Sequence, residues 1–153
     1  MHTYESPVGP LRLTAKDGFI TGLYFNADDE KGAVREAAPS DAAVLKQCVH
    51  ELGEYFAGRL RAFTVPIKPE GTPFRMKVWE ALLTIPYGET ISYKKLAERI
   101  NHPSAIRAVG GANHHNPISI IIPCHRVIGA SGKLVGYGGG LDVKERLLQH
   151  ERK

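Results

Sequence analysis

Cysteine is scarce in this chain. Only Cys48 and Cys124 occur among 153 residues, too few for a disulfide framework and in keeping with a reducing compartment. Long apolar runs are missing too: none nears the roughly 18 residues that a membrane span requires. The opening MHTYESPVGPLRL has no basic stretch followed by an apolar core, so no secretory leader is expected, and a cytoplasmic protein is. No segment repeats, and no tract is of low complexity. One glycine-rich stretch, Gly136-Tyr137-Gly138-Gly139-Gly140, lacks the Lys-Ser/Thr of a phosphate-binding loop and the spacing of a dinucleotide fingerprint. It offers close backbone approach and exposed N–H donors instead, or simply a mobile loop.

What is present is charge, unevenly spread. The net value is +4, but residues 1–67 carry −2 and residues 68–153 carry +6. Such asymmetry fits a polyanionic partner for the C-terminal half. A solvated basic surface would give the same balance.

The first half opens with β-forming segments. Leu11–Ala15 alternates apolar and polar, Phe19–Phe25 is rich in β-formers, and Asp17-Gly18 between them signals a hairpin. Met1–Glu5 adds a third strand. Ser40 or Asp41 caps a helix to about Ala57, with Val44, Leu45, Cys48, Leu52, Tyr55 and Phe56 on one face. Cys48 is therefore core. Residues 59–72 contain Pro66, Pro69 and Gly71 and form the linker, dividing the chain into domains 1–68 and 69–153.

The second half reads as helices. Thr72 caps one that begins at Pro73 and packs through Phe74, Val78, Trp79, Leu82 and Leu83. Thr90 or Ser92 opens the next, through about Ile100. After Asn101-His102-Pro103, Ser104 caps a third, to about Asn113. Helix, short turn, helix is the spacing of a helix-turn-helix. Its second helix is unusual for a major-groove reader. Ala105, Ala108, Gly110, Gly111 and Ala112 leave Arg107 as the one long cation. Small residues with one arginine suit minor-groove insertion. Tight helix packing, with Arg107 in a salt bridge, is the plainer alternative.

The chemistry centres on Pro123-Cys124-His125-Arg126-Val127, which follows the run Ile118-Ser119-Ile120-Ile121-Ile122. Cysteine is a strong nucleophile only as thiolate, and a positioned histidine can produce that state. Adjacency does not ensure contact, because neighbours in an extended segment face opposite ways. Asn116-Pro117 upstream can fix a turn. A final helix, Leu141–Glu151, carries Glu145 and Glu151, and either could orient His125. On the residues alone the two acids are equal candidates.

The stretch from Val78 to Glu151, with its Asn-Pro, Pro-Cys-His-Arg-Val and Gly-Tyr-Gly-Gly-Gly motifs in order, resembles the O6-alkylguanine-DNA alkyltransferases. The resemblance covers residues 72–151. It implies an α+β protein: a small N-terminal α/β domain of ribonuclease-H-like shape, then a mostly helical domain with a winged helix-turn-helix. The implied activity is suicide repair of DNA. An O6-alkylguanine is flipped from the duplex through the minor groove, and its alkyl group moves irreversibly to the protein's own cysteine, with O4-alkylthymine as a further substrate.

Transferred onto this chain, the resemblance makes Cys124 the acceptor, His125 the base acting through a water, and Glu151 the acid that orients it. Asn116 steadies the turn, and Tyr93 protonates the leaving guanine. Arg107 fills the gap left by the flipped base. Ser92, Ala105, Ala108, Gly110 and Arg126 complete the expected DNA contacts, and Val127, Tyr137, Gly138 and Ser119 the substrate pocket. Arg75, Lys77, Lys94 and Lys95 are expected at phosphates. No cofactor is implied, and the chain is expected to act as a monomer.

There are departures from the pattern. Gly138 and Ser119 stand where some relatives have serine and proline, and Arg75 replaces a commoner glutamine. The N-domain cysteines that bind zinc in some relatives have no match here, so no metal is expected. A subgroup that only binds lesions lacks the acceptor cysteine, and Cys124 argues against membership. Two rivals remain, a non-catalytic helix-turn-helix binder and a cysteine hydrolase or acyltransferase.

Overall fold

The computed structural model describes residues 2–25, 39–129 and 140–152, and the chain forms two compact units, Met1–Pro69 and Glu70–Lys153. The N-terminal unit is an antiparallel sheet in the order β1 (His2–Ser6), β2 (Gly9–Lys16), β3 (Phe19–Phe25) with helix α1 (Pro39–Phe56) against it. Asp17 and Gly18 both take positive φ, 53° and 82°, as a tight hairpin turn needs. Leu11, Leu13, Ile20 and Leu23 are fully buried, as are Cys48, Leu52 and Tyr55 of α1.

Asp41 was expected as a helix cap. Its carboxylate instead accepts the Gly18 N–H at 2.8 Å, joining the hairpin turn to the start of α1; the Ser40 side chain lies outside the described residues. Buried Glu51 accepts from the Thr64 and Val65 N–H groups at 2.7 and 3.1 Å. That fastens the segment leading to Ile67, which bridges to Ile20 of the sheet.

The C-terminal unit contains α2 (Pro73–Leu82), β4 (Ile91–Ser92), α3 (Tyr93–Arg99), α4 (Ile106–His114), a 3₁₀ turn (Cys124–Arg126), β5 (Val127–Ile128) and α5 (Leu141–Glu151). Thr72 caps α2 by accepting the Arg75 N–H at 3.2 Å. Ser92, not Thr90, caps α3 by accepting from Lys95 N at 3.1 Å. Ser104 does not cap α4: Ala105 occupies that position, and no side chain serves it. The indole N–H of Trp79 donates to the Ala112 carbonyl at 2.9 Å and ties α2 to α4.

One pairing had no forewarning in the sequence. β4 and β5 pair in parallel, Ile91 with Val127 and Ser92 with Ile128. This places the start of α3 beside the Cys-His segment. The isoleucine run before Cys124 forms turns, and buried Ile120 sits at φ 72°. A wing is not among the described elements.

Candidate active site

Asn116 shapes the turn that presents the cysteine. Its Nδ2 donates to the Ile122 carbonyl at 2.8 Å, and its Oδ1 accepts the Ile118 N–H at 3.0 Å. One buried side chain thus bonds both ends of the run, while the Ile121 and Ile122 N–H groups donate back to the Ser119 and Ile118 carbonyls. The Cys124 N–H also donates to the Ile122 carbonyl, at 2.8 Å. Cys124 opens the 3₁₀ turn and is 3 % exposed.

His125 is fully buried, and its Nε2 lies 2.7 Å from Glu151 Oε2. The equal standing of the two acids ends here. Glu151 reaches the imidazole, whereas exposed Glu145, among the described residues, accepts only a 3.4 Å bond from Gln149. Residues 144, 147, 148 and 151 are the buried face of α5, so the helix repeat carries Glu151 inward and leaves position 145 outside.

Arg126 requires a correction. It was expected at DNA, but it is buried, and its guanidinium is engaged inside the protein. Nε donates to Glu151 Oε1 at 2.8 Å, Nη2 to Oε2 at 3.0 Å and Nη1 to the Ile85 carbonyl at 2.7 Å. A two-pronged arginine holds the Glu151 carboxylate in place through charge-assisted bonds. The anion in turn fixes the histidine tautomer, because a carboxylate can only accept. His125 therefore donates Nε2–H and presents the Nδ1 lone pair as a base. Nδ1 is buried and has no hydrogen-bond partner among the described residues. Burial, with help from Arg126 and Lys144 and against the pull of Glu151, holds the imidazole below its ordinary pKa. It is neutral at pH 7, as a proton acceptor must be.

Lys144 was not anticipated. It is fully buried on the Glu151 face of α5, with Nζ 5.9 Å from the centre of the Tyr93 ring. Desolvation pushes its pKa down to about 8, while the charge of Cys124 pulls it back up. A lysine on the buried repeat 144-147-148-151 was the available signal: a cation there needs a partner. The unfolded chain keeps this proton to about pH 10.5 and the folded chain only to about 8. Stability therefore rises with pH between those values, and at pH 7 the buried cation is a net cost. Lys144→Met should be more stable than the parent at pH 7, by an amount that shrinks towards pH 10. Its transfer reaction should be slower at pH 7, with a pH midpoint moved upward. Denaturant titrations and single-turnover rates across this range check both. A rate unchanged at every pH would show that the cation does not act on Cys124.

Tyr93, half-buried at the start of α3, is held above the ordinary phenol range by burial and the Cys124 charge, with an Asn113 hydrogen bond opposing them. Val127 is fully buried and Ser119 half-buried; Tyr137 and Gly138 lie outside the described residues. On α4, Arg107, Ala108 and Gly111 form an exposed stripe opposite buried Val109, Ala112 and Asn113. Ala105 and Gly110 flank that stripe, half-buried. No acid pairs with Arg107 among the described residues. A Cβ built on Gly110 or Gly111 meets nothing within 4 Å. Packing inside the unit does not require these glycines. Lys77, Lys94 and Lys95 are exposed and Arg75 half-buried.

Two family models match the chain in succession. The ribonuclease-like domain of 6-O-methylguanine DNA methyltransferase covers residues 1–69, and the DNA-binding domain of the same protein covers residues 73–153. The chain belongs to the 6-O-methylguanine DNA methyltransferase family. Among curated members, the methylated-DNA–protein-cysteine methyltransferase of Mycolicibacterium paratuberculosis is 50 % identical over 151 residues, covering 99 % of this chain and 91 % of the relative. The protein of that name from Methanosarcina acetivorans is 47 % identical over 148 residues, covering 97 % and 95 %. The crystal structure of Mycobacterium tuberculosis OGT in complex with DNA superposes with a TM-score of 0.84 at 48 % identity, covering 98 % of this chain and 91 % of that one. Family membership thus takes in both units. No helix among the described residues is long and apolar enough to cross a membrane.

Proposed function

We propose that this chain repairs DNA by moving an alkyl group from O6-alkylguanine onto Cys124, once and irreversibly. The observation that carries the reading is the buried His125–Glu151 pair at 2.7 Å, locked by Arg126, next in sequence to the cysteine. It makes His125 Nδ1 a neutral base that takes the thiol proton through a water. The thiolate attacks the alkyl carbon, the S–C bond forms, and the C–O6 bond breaks with its electron pair going to guanine. Tyr93 donates a proton to that anion. The thioether left on Cys124 has no ready route to hydrolysis, so each molecule reacts once.

The open α4 stripe supports DNA as the partner. Its glycines face free space and Arg107 pairs with no acid among the described residues, as suits a surface that fits the minor groove. Arg107 enters the stack where the base has flipped out, and Lys77, Lys94 and Lys95 supply phosphate contacts. Ser92 keeps its hydroxyl proton for a DNA acceptor while its oxygen caps α3. The chain acts as a monomer in the cytoplasm, and O4-alkylthymine is a second substrate.

Incubation with DNA carrying labelled O6-methylguanine tests the reading. One label per protein on the Cys124 peptide is expected. Label retained on DNA would mean a lesion binder, and repeated turnover a hydrolase. Arg107→Ala should slow repair of a paired lesion by at least about tenfold, given the few kcal/mol that flipping costs, and barely affect reaction with free O6-benzylguanine. Equal losses on both substrates would assign Arg107 to the fold.

A further inference from the structure

Asn113 is 3 % exposed on the inward face of α4, and neither its sequence neighbours nor the helix requires an amide there. It lies in the last turn of α4, and an apolar side chain there would avoid burying polar atoms. Its Nδ2 lies 3.4 Å from the Tyr93 hydroxyl and 3.4 Å from the main-chain oxygen of Cys124. These contacts are long, as catalytic hydrogen bonds often are before substrate binds.

Chemistry fixes which way the amide faces. A carbonyl oxygen can only accept, so the atom directed at Cys124 O is the NH₂ nitrogen. The Tyr93 oxygen faces that same nitrogen and therefore accepts as well. The tyrosine's own proton then points elsewhere. Were the amide reversed, Tyr93 would give its proton to Asn113 and the Cys124 carbonyl would face a second acceptor.

We infer that Asn113 is a positioning residue that holds the Tyr93 hydroxyl oriented to donate its proton to the departing guanine. The inference rests on the reading of Tyr93 as proton donor. In the full step the Cys124 proton passes to His125, and sulfur bonds to the alkyl carbon. The C–O6 electron pair goes to guanine, and the Tyr93 proton neutralises it. Tyrosinate then regains a proton from solvent, and His125 releases one. An N–H donated to the phenol oxygen steadies the tyrosinate as it forms, and the Asn113 bond indeed acts to lower the Tyr93 pKa against burial.

A double-mutant cycle tests this with free O6-benzylguanine, which removes DNA binding from the comparison. Tyr93→Phe should slow benzyl transfer by about 10²-fold or more. Asn113→Leu, which keeps the branched shape and loses the donor, should slow it by roughly tenfold in the parent and less than about twofold beside Tyr93→Phe, the non-additivity of residues that act together. Asn113→Asp should be slower than Asn113→Leu, because a carboxylate captures the tyrosine proton. Alkylation of Cys124 by iodoacetamide should be unchanged by Asn113→Leu, because iodide leaves without a proton. If Tyr93→Phe reacts like the parent, the reading of Tyr93 fails. If Tyr93→Phe is slow and Asn113→Leu slows both backgrounds equally, or slows iodoacetamide as much, the inference about Asn113 alone is overturned. Thermal melts accompany each variant, and Asn113→Ala replaces either one that does not fold.

Discussion

Cys124→Ala is expected to abolish alkyl transfer while leaving affinity for DNA essentially unchanged. The two properties reside on different parts of the C-terminal unit. The thiol is nearly enclosed, at 3 % exposure, whereas Arg107, Ala108 and Gly111 present the open stripe of α4. Removing one sulfur from an enclosed site does not alter that stripe or the exposed lysines. Nor can the second cysteine substitute. Cys48 is fully buried in the N-terminal unit, and burial, aided by the Glu51 charge, pushes its thiol up to about 12. At pH 7 only about one molecule in 10⁵ then carries a Cys48 thiolate, and the thiolate is the reactive form. Labelled methyl on protein after reaction of Cys124→Ala with O6-methylguanine DNA, detected by peptide mass, would remove Cys124 from its assigned role. A large loss of DNA affinity would instead show that the turn around the cysteine shapes the α4 surface.

Elements with strong local signals were legible. Leu141–Glu151 was expected as a helix and is one, and the hairpin at Asp17-Gly18 follows from two residues that tolerate positive φ. The turn before Cys124 was legible only in part: Asn116-Pro117 signals a turn, but five residues suited to a strand give no sign that they turn as well, with Asn116 bonded to both ends of the run. Arg126 was misjudged because charge says nothing of direction; its partner is Glu151, a residue 25 positions away. Asn113 was missed for the same reason, since its contacts lie 20 and 11 residues off in the chain. Ser104 has the chemistry of a cap, but the chain reaches α4 one residue later, at Ala105. Glu151 over Glu145 came from the resemblance and not from the residues, and only the folded helix separates them physically.

Glu151→Gln is expected to slow transfer by about 10²- to 10⁴-fold and to destabilise the protein by roughly 3–5 kcal/mol. The carboxylate accepts from His125 Nε2 at 2.7 Å and from Arg126 Nε and Nη2 at 2.8 and 3.0 Å. Glutamine offers one acceptor in place of two. The Arg126 guanidinium can only donate, so the remaining oxygen turns to it and the NH₂ group faces His125. The imidazole must then accept at Nε2, which moves its proton to Nδ1 and removes the lone pair that would receive the thiol proton. The chemical loss and the stability loss thus share one residue but have separate causes. Arg126→Met separates them. It also breaks the buried ion pair and should lower the melting temperature, yet it leaves a carboxylate on His125 and the working tautomer in place. Rate per folded molecule should therefore fall far more in Glu151→Gln than in Arg126→Met. Glu145→Gln should match the parent in both measurements, because that side chain is exposed and, among the described residues, bonds only Gln149. Equal rate losses in Glu151→Gln and Arg126→Met would mean that Glu151 serves the ion pair alone and that His125 needs no acid to orient it.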